Sequence, residues 1–397
     1  MGQSGWGQAA SPSGAGRPPG PCGPPGPRSF RQAPLAPRSL RPTSAAPAPR
    51  PRRTAAVRAV RLAAMPLPVA VLGAGSFGTC LAVQAARECD VAIWARDPGL
   101  AAAIQRERRN PRYLSEVELP PGIRATANLE EALAGSELVI CAIPSHGVRE
   151  VMSRAGKAMD PGAILVSTVK GIEEETGMLM HQVLEDVLPP ALHPRLTVLS
   201  GPSFAHEVAI HLPTAVTLAC RQEAFAISVQ TAISSPWFRC YTHDDVIGVE
   251  VGGALKNVIA IAVGMCDGLS LGLNARAAVM TRGLREITRL GEKLGANPVT
   301  FQGLSGMGDL LLTCTGDLSR NRRVGLELGH GRRLREIVSG MDQVAEGVRT
   351  TYAVCELATR HQVEMPICFA VRSVLEGAAP EEAVHHVMSR QLRSEME

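Results

Sequence analysis

The chain of 397 residues is long enough for about two or three domains, and its hydrophobic content of 45% excludes disorder throughout. Only 3% of the residues are aromatic, which leaves few rings for stacking bases and argues against a binder of single-stranded nucleic acid. The ten cysteines include no CxxC pair, so neither a disulfide scaffold nor a metal site is expected, and no apolar run predicts an integral membrane protein.

The positive charge is concentrated in residues 1–64. This segment contains ten arginines, no lysine and no acidic residue, so the formal charge of +4 for the whole chain leaves −6 for the remainder. It also holds 13 prolines and eight glycines, a composition that predicts disorder and is typical of an organelle transit peptide. We expect plastid import with processing near Val57–Met65, because the prolines oppose the amphipathic helix of a mitochondrial presequence. Mitochondrial import, a cytoplasmic protein with a disordered tail, and translation from Met65 remain as alternatives.

From Pro66 onwards, short apolar runs alternate with helical stretches such as Phe77–Arg87 and Glu174–Leu188. The predicted strands are Val69–Leu72, VAIWARD at 91–97, Glu137–Pro144, Ala163–Gly171, Leu196–Pro202 and Thr214–Cys220. This alternation predicts βαβ units, and the nearly continuous apolar runs predict a parallel sheet that is covered on both faces.

Beyond about Thr242 the strand pattern ends. The predicted helices there are Val246–Met265, Ala275–Leu294, Met307–Cys314, Gln343–His361 and Glu381–Met388. The sequence therefore predicts an α/β protein in which a Rossmann-like, doubly wound parallel-sheet domain (65–242) precedes an all-helical substrate domain (243–397).

A glycine-rich turn follows the first predicted strand. Gly73, Gly75 and Gly78 form a GxGxxG motif between that strand and a predicted helix, which is the context that dinucleotide binding requires. Gly73 permits the tight turn, Gly75 lets the backbone approach a pyrophosphate, and Gly78 allows the helix to pack closely on the strand. The sequence predicts a site for NAD or NADP.

The end of the second strand bears on the choice between the two coenzymes. NAD-selective sites place an acidic residue there, whereas this strand ends with Arg96 and Asp97. Arg96 suits a 2′-phosphate, and Asp97 suits the cap of a helix that begins with Pro98. The sequence leaves both NAD and NADP open.

Cationic residues supply candidates for the reacting site. Lys256 lies in the apolar stretch GGALKNVIA, where it either extends its ammonium group to solvent or has a function. Lys170 follows a predicted strand and points to the edge of the sheet where ligands bind. The segment DLSRNRR at 317–323 combines a helix start, a hydroxyl, an amide and guanidinium groups, which suits a phosphate but is also typical of a solvated helix start.

These segments carry a family resemblance. From about Leu67 to Arg390 the chain resembles NAD(P)-dependent glycerol-3-phosphate dehydrogenase of the bacterial and plastid type, through GAGSFGTCLA, WARDP, VKGIEEETG, LSGPSFAHEV, GGALKN, GMGDLLLTCTGDLSRNRR and VAEGVRTT. The resemblance implies reversible reduction of dihydroxyacetone phosphate to glycerol 3-phosphate, which supplies glycerolipid synthesis. We also expect a homodimer.

The resemblance further implies roles at matching positions. Lys256 would be the general acid/base, with Lys170 and Asp309 beside it as catalytic residues. The cofactor would contact Gly73, Gly75, Ser76, Phe77, Gly78, Arg96, Lys170, Ala205, Arg320, Val344 and Glu346. The substrate would contact Lys170, Gly201, Ser203, Lys256, Asn257, Asp309, Ser319, Arg320 and Asn321.

Two other functions fit the same architecture. One is a β-hydroxyacid-type dehydrogenase that acts on a carboxylated substrate, and the other is a catalytically silent sensor of NAD(P). The SRNRR segment and the lysine of GGALKN argue against the first. The sensor should lack a proton donor or a phosphate-binding group, yet Lys256 and Arg320 are both present.

Overall fold

The computed structural model describes residues 67–341, 345–392 and 394–395. The predicted transit peptide at 1–64 lies outside these ranges. The strands are β1 (Leu67–Leu72), β2 (Cys89–Trp94), β3 (Arg109–Asn110), β4 (Leu114–Glu118), β5 (Ile123–Thr126), β6 (Leu138–Cys141), β7 (Ile164–Ser167), β8 (Leu196–Ser200), β9 (Thr214–Ala219) and β10 (Phe238–His243).

Helices follow most strands and occupy the remainder of the described chain. They are α1 (Ser76–Ala85), α2 (Pro98–Glu107), α3 (Leu129–Leu133), α4 (Val148–Ala158), α5 (Met180–Val187), α6 (Ala205–Ala209), α7 (Glu223–Ile233), α8 (Val246–Gly268), α9 (Gly272–Lys293), α10 (Asp309–Thr315), α11 (Arg320–Gly329), α12 (Leu334–Ser339), α13 (Glu346–His361), α14 (Pro366–Leu375) and α15 (Pro380–Met388). Short 3₁₀ turns occur at Ser145–Gly147, Pro190–Arg195 and Pro298–Gln302, and a π turn at Leu304–Gly308 precedes α10.

Eight strands form one sheet in the order β10-β9-β8-β7-β6-β1-β2-β5. All neighbouring pairs are parallel except β8 and β9, which are antiparallel. Strand order reverses between β1 and its two neighbours, β2 and β6, which is where ligands bind in open α/β sheets. The chain leaves β1, β2, β6, β7 and β8 at the same edge, so the loops that follow these strands converge there.

The helical domain is built around α8. Twenty of its 23 residues are buried, and it packs against α9, α10, α11 and α13. Although α8 is long and apolar enough to cross a membrane, it is the core helix of this domain, and 94% of its most apolar 18-residue stretch is buried. The closest crossing is with α11: a Cβ atom at Gly264 would lie 2.0 Å from the Arg322 carbonyl oxygen, and one at Gly325 would lie 2.0 Å from that of Ile261. These glycines allow α11 to begin beside the middle of α8.

Two contacts dock α8 on the sheet domain. A Cβ atom at Gly253 would lie 2.6 Å from Ser200 Oγ at the end of β8, so the helix touches the strand end directly. Glu250 accepts a hydrogen bond from the backbone N–H of His181 at 2.9 Å and contacts the His181 ring nitrogen Nδ1 at 2.6 Å. Since His181 lies on α5, the crossover helix between β7 and β8, this buried pair sets the position of α8 against the sheet.

The structure confirms the predicted α/β class and the helical second half, and corrects several elements. The β3–β4 hairpin, β5 and β10 were not predicted, and the sheet is not fully parallel because β9 runs against β8. The helix predicted at Glu174–Leu188 begins only at Met180, because Gly177 has φ +71° and Ile172 forms a bridge with Leu179. The last strand ends at His243, beside the predicted domain boundary, which stays a prediction.

Candidate active site

The glycine-rich turn connects β1 to α1. Gly73 has φ +114°, and a Cβ atom there would lie 2.7 Å from the Ala142 carbonyl oxygen. A Cβ atom at Gly78 would lie 1.9 Å from the Gly73 carbonyl oxygen, so both positions require glycine. At Gly75, by contrast, a Cβ atom would meet no atom within 4 Å. The backbone is therefore open at Gly75, directly at the N-terminus of α1, where it fits the pyrophosphate of a dinucleotide.

The two residues after Gly75 also lie at this turn. Ser76 Oγ donates a hydrogen bond to the Tyr113 carbonyl oxygen at 3.0 Å, and Phe77 is partly buried against the core on this side of the sheet. Ala205 begins α6, which packs against α1. These three predicted cofactor positions are thus gathered around one helix.

Arg96 and Asp97, which lie just beyond β2, have different surroundings. Asp97 accepts hydrogen bonds from the backbone N–H groups of Gly99 (2.8 Å) and Leu100 (3.3 Å), so it is the N-cap of α2. One oxygen of this carboxylate, Oδ1, is therefore engaged in capping the helix. Arg96 is exposed at the end of β2, on the same edge of the sheet as Gly75.

One buried carboxylate joins two lysines from different parts of the fold. Asp309, at the start of α10, accepts from Lys256 Nζ at 2.6 Å and from Lys170 Nζ at 2.7 Å. Lys256 projects from α8 and Lys170 from the loop after β7. The side chains of Asp309 and Lys256 are only 1% and 8% exposed, so the alternative in which Lys256 extends to solvent is wrong.

The environment of Lys256 changes its acidity. Burial lowers the pKa of Lys256 to about 8; the Asp309 carboxylate opposes this shift, and the Lys170 charge reinforces it. A lysine with a pKa in this range releases and takes up a proton near neutral pH, which suits a general acid/base.

Sequence reasoning missed Thr313 as part of this cluster. Its Oγ1 accepts from Lys256 Nζ at 2.6 Å and donates to the Asp309 carbonyl oxygen at 2.6 Å. The available signal was the spacing of four residues between Asp309 and Thr313, which places both on one face of α10. Together, the two residues hold the Lys256 ammonium group in one position.

The SRNRR segment forms the beginning of α11. Ser319 is the N-cap and accepts from the backbone N–H of Arg322 at 3.2 Å. Arg322 Nε and Nη2 bind Asp267 Oδ2 at 2.9 and 2.8 Å, so this guanidinium group holds α11 to the end of α8. Arg320 is exposed at the first position of the helix, and its charge acts on the carboxyl of Glu346.

Two asparagines lie between α8, α11 and α13. Asn321 Nδ2 donates to Asn257 Oδ1 at 2.9 Å, and the backbone N–H of Gly347 donates to Asn321 Oδ1 at 2.9 Å. Asn257 therefore lies beside the first turn of α11. Both side chains belong to buried residues.

Gly201, Ser203 and Glu346 are further predicted site residues near the cluster. Gly201, with φ +139°, accepts hydrogen bonds at its carbonyl oxygen from Lys170 Nζ at 3.3 Å and from Ser203 Oγ at 3.0 Å. Burial raises the pKa of Glu346, while the Arg320 charge and the backbone N–H of Ser145 counteract this shift. The turn that contains Ser145 follows β6, so Glu346 faces the switch point of the sheet. Val344 lies outside the described residues.

Among the described residues, no group of three or more His, Cys, Asp or Glu side chains is arranged to hold a metal ion. The nine described cysteines are free and buried. Burial raises the pKa of Cys141 and of Cys314 to about 12, which keeps both thiols protonated.

Family models and related proteins match nearly all of the described chain. A model described as the NAD-dependent glycerol-3-phosphate dehydrogenase N-terminus matches residues 68–226, and the corresponding C-terminus model matches 245–385. The chain is 51% identical over 328 residues to a glycerol-3-phosphate dehydrogenase [NAD(P)+] of Myxococcus xanthus, which covers 82% of this chain and 98% of the relative. A relative of the same name from Anaeromyxobacter dehalogenans is 52% identical and is covered to 99%.

Comparison with solved structures gives the same family as the sequence relatives. The fold is similar to that of glycerol-3-phosphate dehydrogenase from Coxiella burnetii, with a TM-score of 0.78, 40% identity, and coverage of 82% of this chain and 99% of that one. A ketopantoate reductase from Ralstonia eutropha, at 13% identity and a TM-score of 0.51, shares the fold alone.

The glycine-rich turn is open to a pyrophosphate, and a buried lysine and carboxylate lie at the same edge of the sheet. Together with the family match, these features define a dehydrogenase that uses a nicotinamide dinucleotide. The matches over 68–226 and 245–385, with relatives about half identical over their whole lengths, specify it further. The chain belongs to the NAD-dependent glycerol-3-phosphate dehydrogenase family.

Proposed function

We propose that this chain reduces dihydroxyacetone phosphate to glycerol 3-phosphate and catalyses the reverse oxidation. The observation that carries the proposal is the Lys170–Asp309–Lys256 cluster, which joins the sheet edge to the helical domain. The start of α11 offers hydrogen-bond donors that suit a phosphate, and it lies beside that cluster because Asn321 is hydrogen-bonded to Asn257, the residue next to Lys256. The names of the relatives described above support the same reaction.

Lys256 is the proposed proton donor. The reduced nicotinamide, when bound, supplies the hydride for C2 of the substrate. The Lys256 ammonium donates a proton to the oxygen that gains negative charge at C2, and the positive charge of Lys170 stabilises that oxygen. Asp309 keeps both lysines in place, and the Thr313 hydroxyl fixes the orientation of the Lys256 ammonium group. In the oxidative direction, neutral Lys256 removes the hydroxyl proton.

The proposed phosphate site is the N-terminus of α11. Arg320 and the backbone N–H groups of the first turn supply charge and donors, and the Ser319 hydroxyl lies at the cap. Each charge-assisted hydrogen bond contributes about 1.5–3 kcal/mol to substrate binding. The Gly201 carbonyl oxygen accepts hydrogen bonds from Lys170 Nζ and from Ser203 Oγ, which places both Gly201 and Ser203 next to the Lys170 ammonium group.

A substrate panel tests this proposal. The purified chain should oxidise NADH or NADPH with dihydroxyacetone phosphate, and glycerol 3-phosphate should inhibit competitively. Unphosphorylated dihydroxyacetone should react poorly because it does not use the α11 site. A preference for a carboxylated carbonyl compound would instead indicate a β-hydroxyacid-type dehydrogenase, and inactivity of a folded, coenzyme-bound protein would indicate a sensor.

The two directions should depend on pH in opposite ways. Reduction requires protonated Lys256, so kcat/KM for dihydroxyacetone phosphate should be level at low pH and fall as pH rises through about 8. Oxidation requires neutral Lys256, so kcat/KM for glycerol 3-phosphate should rise over the same interval. Initial rates measured from about pH 6 to about pH 10, a range that spans the pKa of Lys256, give kcat/KM against pH in both directions. Parallel profiles in the two directions would contradict the role of Lys256.

Arg96 should decide the preference between coenzymes. Since Asp97 caps α2, the Arg96 guanidinium is the group after β2 that suits a 2′-phosphate. Arg96→Ala should lower kcat/KM for NADPH by about 10- to 100-fold, the loss expected for one hydrogen bond to a charged group, and leave NADH nearly unchanged. Arg106→Ala, on the exposed end of α2, is the matched control. An equal loss with both coenzymes would show that Arg96 does not read the 2′-phosphate.

Three narrower proposals accompany the reaction. We propose that reduction is the physiological direction and that its product feeds glycerolipid synthesis. We propose a homodimer, which light scattering of the purified chain tests.

We also propose that residues 1–64 are a plastid transit peptide. This proposal rests on composition alone, because the relatives named above are bacterial and give no support for plastid import. Import of a fluorescent fusion that carries these residues, compared with one that begins at Met65, tests the last proposal.

A further inference from the structure

The chain forms a closed loop just after Lys170. Ile172 and Leu179 pair in an antiparallel bridge at the base of this loop. Directly beside the bridge, the backbone N–H of Glu173 donates to the Met178 carbonyl oxygen at 3.0 Å. The 172–179 loop is therefore a defined unit, and Lys170 lies between the end of β7 and this loop.

A bidentate ion pair attaches the 172–179 loop to the sheet domain. Arg149, in the first turn of α4, donates from Nε and from Nη2 to the two carboxylate oxygens of Glu173, both at 2.9 Å. Its third nitrogen, Nη1, contacts Asp186 of α5. Thr176 Oγ1 also donates to Glu173 Oε2 at 2.6 Å, and the Glu173 side chain is only 11% exposed. Two parallel charge-assisted bonds fix the orientation of the loop as well as its distance from α4.

Other residues of the same loop contact the helical domain. Ile172 and Leu179 are buried and belong to the apolar core that α8 forms with its neighbouring helices. Arg360 of α13 donates to the Thr176 carbonyl oxygen at 3.1 Å. The loop is thus held by both domains, at the point where Lys170 crosses from one to the other.

The position of Lys170 depends on its backbone. Its Nζ donates to the Gly201 carbonyl oxygen at 3.3 Å and to Asp309 at 2.7 Å. The lysine stem is flexible, so the ammonium group keeps these contacts at little entropic cost only where the backbone beneath it is fixed. Strand β7 ends at Ser167, which leaves the 172–179 loop to fix the other side of Lys170.

We infer that Arg149 and Glu173 are positioning residues for Lys170: their bidentate ion pair anchors the 172–179 loop and thereby holds the Lys170 ammonium group beside Asp309 and the reacting oxygen. The inference rests on the proposed reduction of dihydroxyacetone phosphate, in which Lys170 stabilises the charge that develops on that oxygen. Arg149 and Glu173 act through Lys170 and are not themselves catalytic residues.

Turnover should fall when the ion pair is broken. Arg149→Ala should lower kcat for dihydroxyacetone phosphate by about 10- to 100-fold, the cost of a misplaced catalytic group, and change KM much less, because the charge on the oxygen develops only in the transition state. Arg149→Lys keeps the charge but not the two parallel bonds, so it should show most of the same loss. In a Lys170→Ala background, Arg149→Ala should cause no further loss of kcat.

The pH profile provides a readout that a purely structural role would not change. Asp309 and Cys314 of α10 face the Lys256 ammonium group together with Lys170, and the Lys170 charge adds to burial in lowering the pKa of Lys256. When Lys170 moves away, the pKa of Lys256 should rise, so the falling limb of kcat/KM for reduction should move to higher pH. Loss of folded protein would instead lower the rate by one factor at every pH.

Arg124→Ala is the matched control. Arg124 forms an ion pair with Glu131 at 3.0 Å on the outermost strand of the sheet, and these side chains are 53% and 47% exposed, so its loss should leave kcat and the pH profile unchanged. Thermal unfolding identifies any variant that does not fold. If Arg149→Ala does not fold, Glu173→Gln keeps the shape of the loop residue and should move the limb in the same direction.

A falling limb that stays in place in a folded Arg149→Ala or Glu173→Gln variant would overturn the inference. Losses of kcat that multiply in the Lys170→Ala background would overturn it as well, because the ion pair would then act on something other than Lys170. Both results presuppose a wild-type enzyme that reduces dihydroxyacetone phosphate. An inactive wild-type enzyme would overturn the proposed reaction and the inference with it.

Discussion

Replacement of Lys256 by alanine should reduce turnover of dihydroxyacetone phosphate by about 10³-fold or more, since it removes both the proton donor and a positive charge beside the reacting oxygen. The fold should survive, because Asp309 keeps its 2.7 Å contact with Lys170 and is not left as an unpaired buried charge. Coenzyme binding should also persist, since the glycine-rich turn after β1 lies on a different element from Lys256. Steady-state rates and a titration with NADH measure these properties separately.

Lys157→Ala is the matched control for this variant. Lys157 is exposed in the last turn of α4, away from the cluster, so its loss should leave kcat and KM unchanged. Turnover by Lys256→Ala close to that of the control would show that Lys256 is not the proton donor.

Asp309→Asn should cause the second largest loss. The substitution keeps the shape of the side chain but removes the negative charge that lies 2.6 Å from Lys256 and 2.7 Å from Lys170. Without that charge, burial and mutual repulsion of the two ammonium groups should lower the pKa of Lys256 further. Reduction at neutral pH should fall by about 10²- to 10⁴-fold, and the falling limb of its pH profile should move to lower pH.

Partial recovery of the Asp309→Asn variant at acidic pH distinguishes this mechanism from loss of the fold, because only a folded site regains activity when Lys256 is protonated again. Asp317→Asn serves as the control, since Asp317 is 96% exposed and pairs with Arg322 outside the cluster. A pH profile identical to that of the wild type would contradict the role of Asp309.

The dinucleotide site could be predicted from the sequence because its geometry is local. The positive φ of Gly73 and the contact of Gly78 with the Gly73 carbonyl oxygen both arise within one turn, so the motif and its flanking strand and helix contain most of the necessary information. The close approach of Gly73 to Ala142, which follows β6, is the part that depends on the rest of the sheet. The nearly continuous apolar runs of β6, β7 and β8 likewise reflect burial on both faces of the sheet.

Partners from distant parts of the chain could not be predicted in this way. Asp309 was identified through a family resemblance, but nothing local shows that its carboxylate would join Lys170 to Lys256. The three arginines of SRNRR look alike in sequence, yet Arg322 binds Asp267 because the Gly264–Gly325 crossing brings α8 and α11 together. Strand β10 was missed because FRCYTH alternates exposed and buried residues at the edge of the sheet, unlike the buried strands beside it.

The buried amides illustrate the same limit. Asn257 and Asn321 were predicted as substrate residues, while their contact with each other and with Gly347 depends on how three helices converge. Sequence spacing does not encode that convergence.

Transfer of an isotopic label from the coenzyme to the substrate is the decisive test of the proposed hydride transfer. The purified chain is incubated with dihydroxyacetone phosphate and NADH or NADPH that carries deuterium on the transferable position of the nicotinamide, and the product is analysed by NMR and mass spectrometry. We expect glycerol 3-phosphate with deuterium at C2 from at least one coenzyme. Unchanged dihydroxyacetone phosphate in the presence of folded, coenzyme-bound protein, or a product without deuterium at C2, would contradict it.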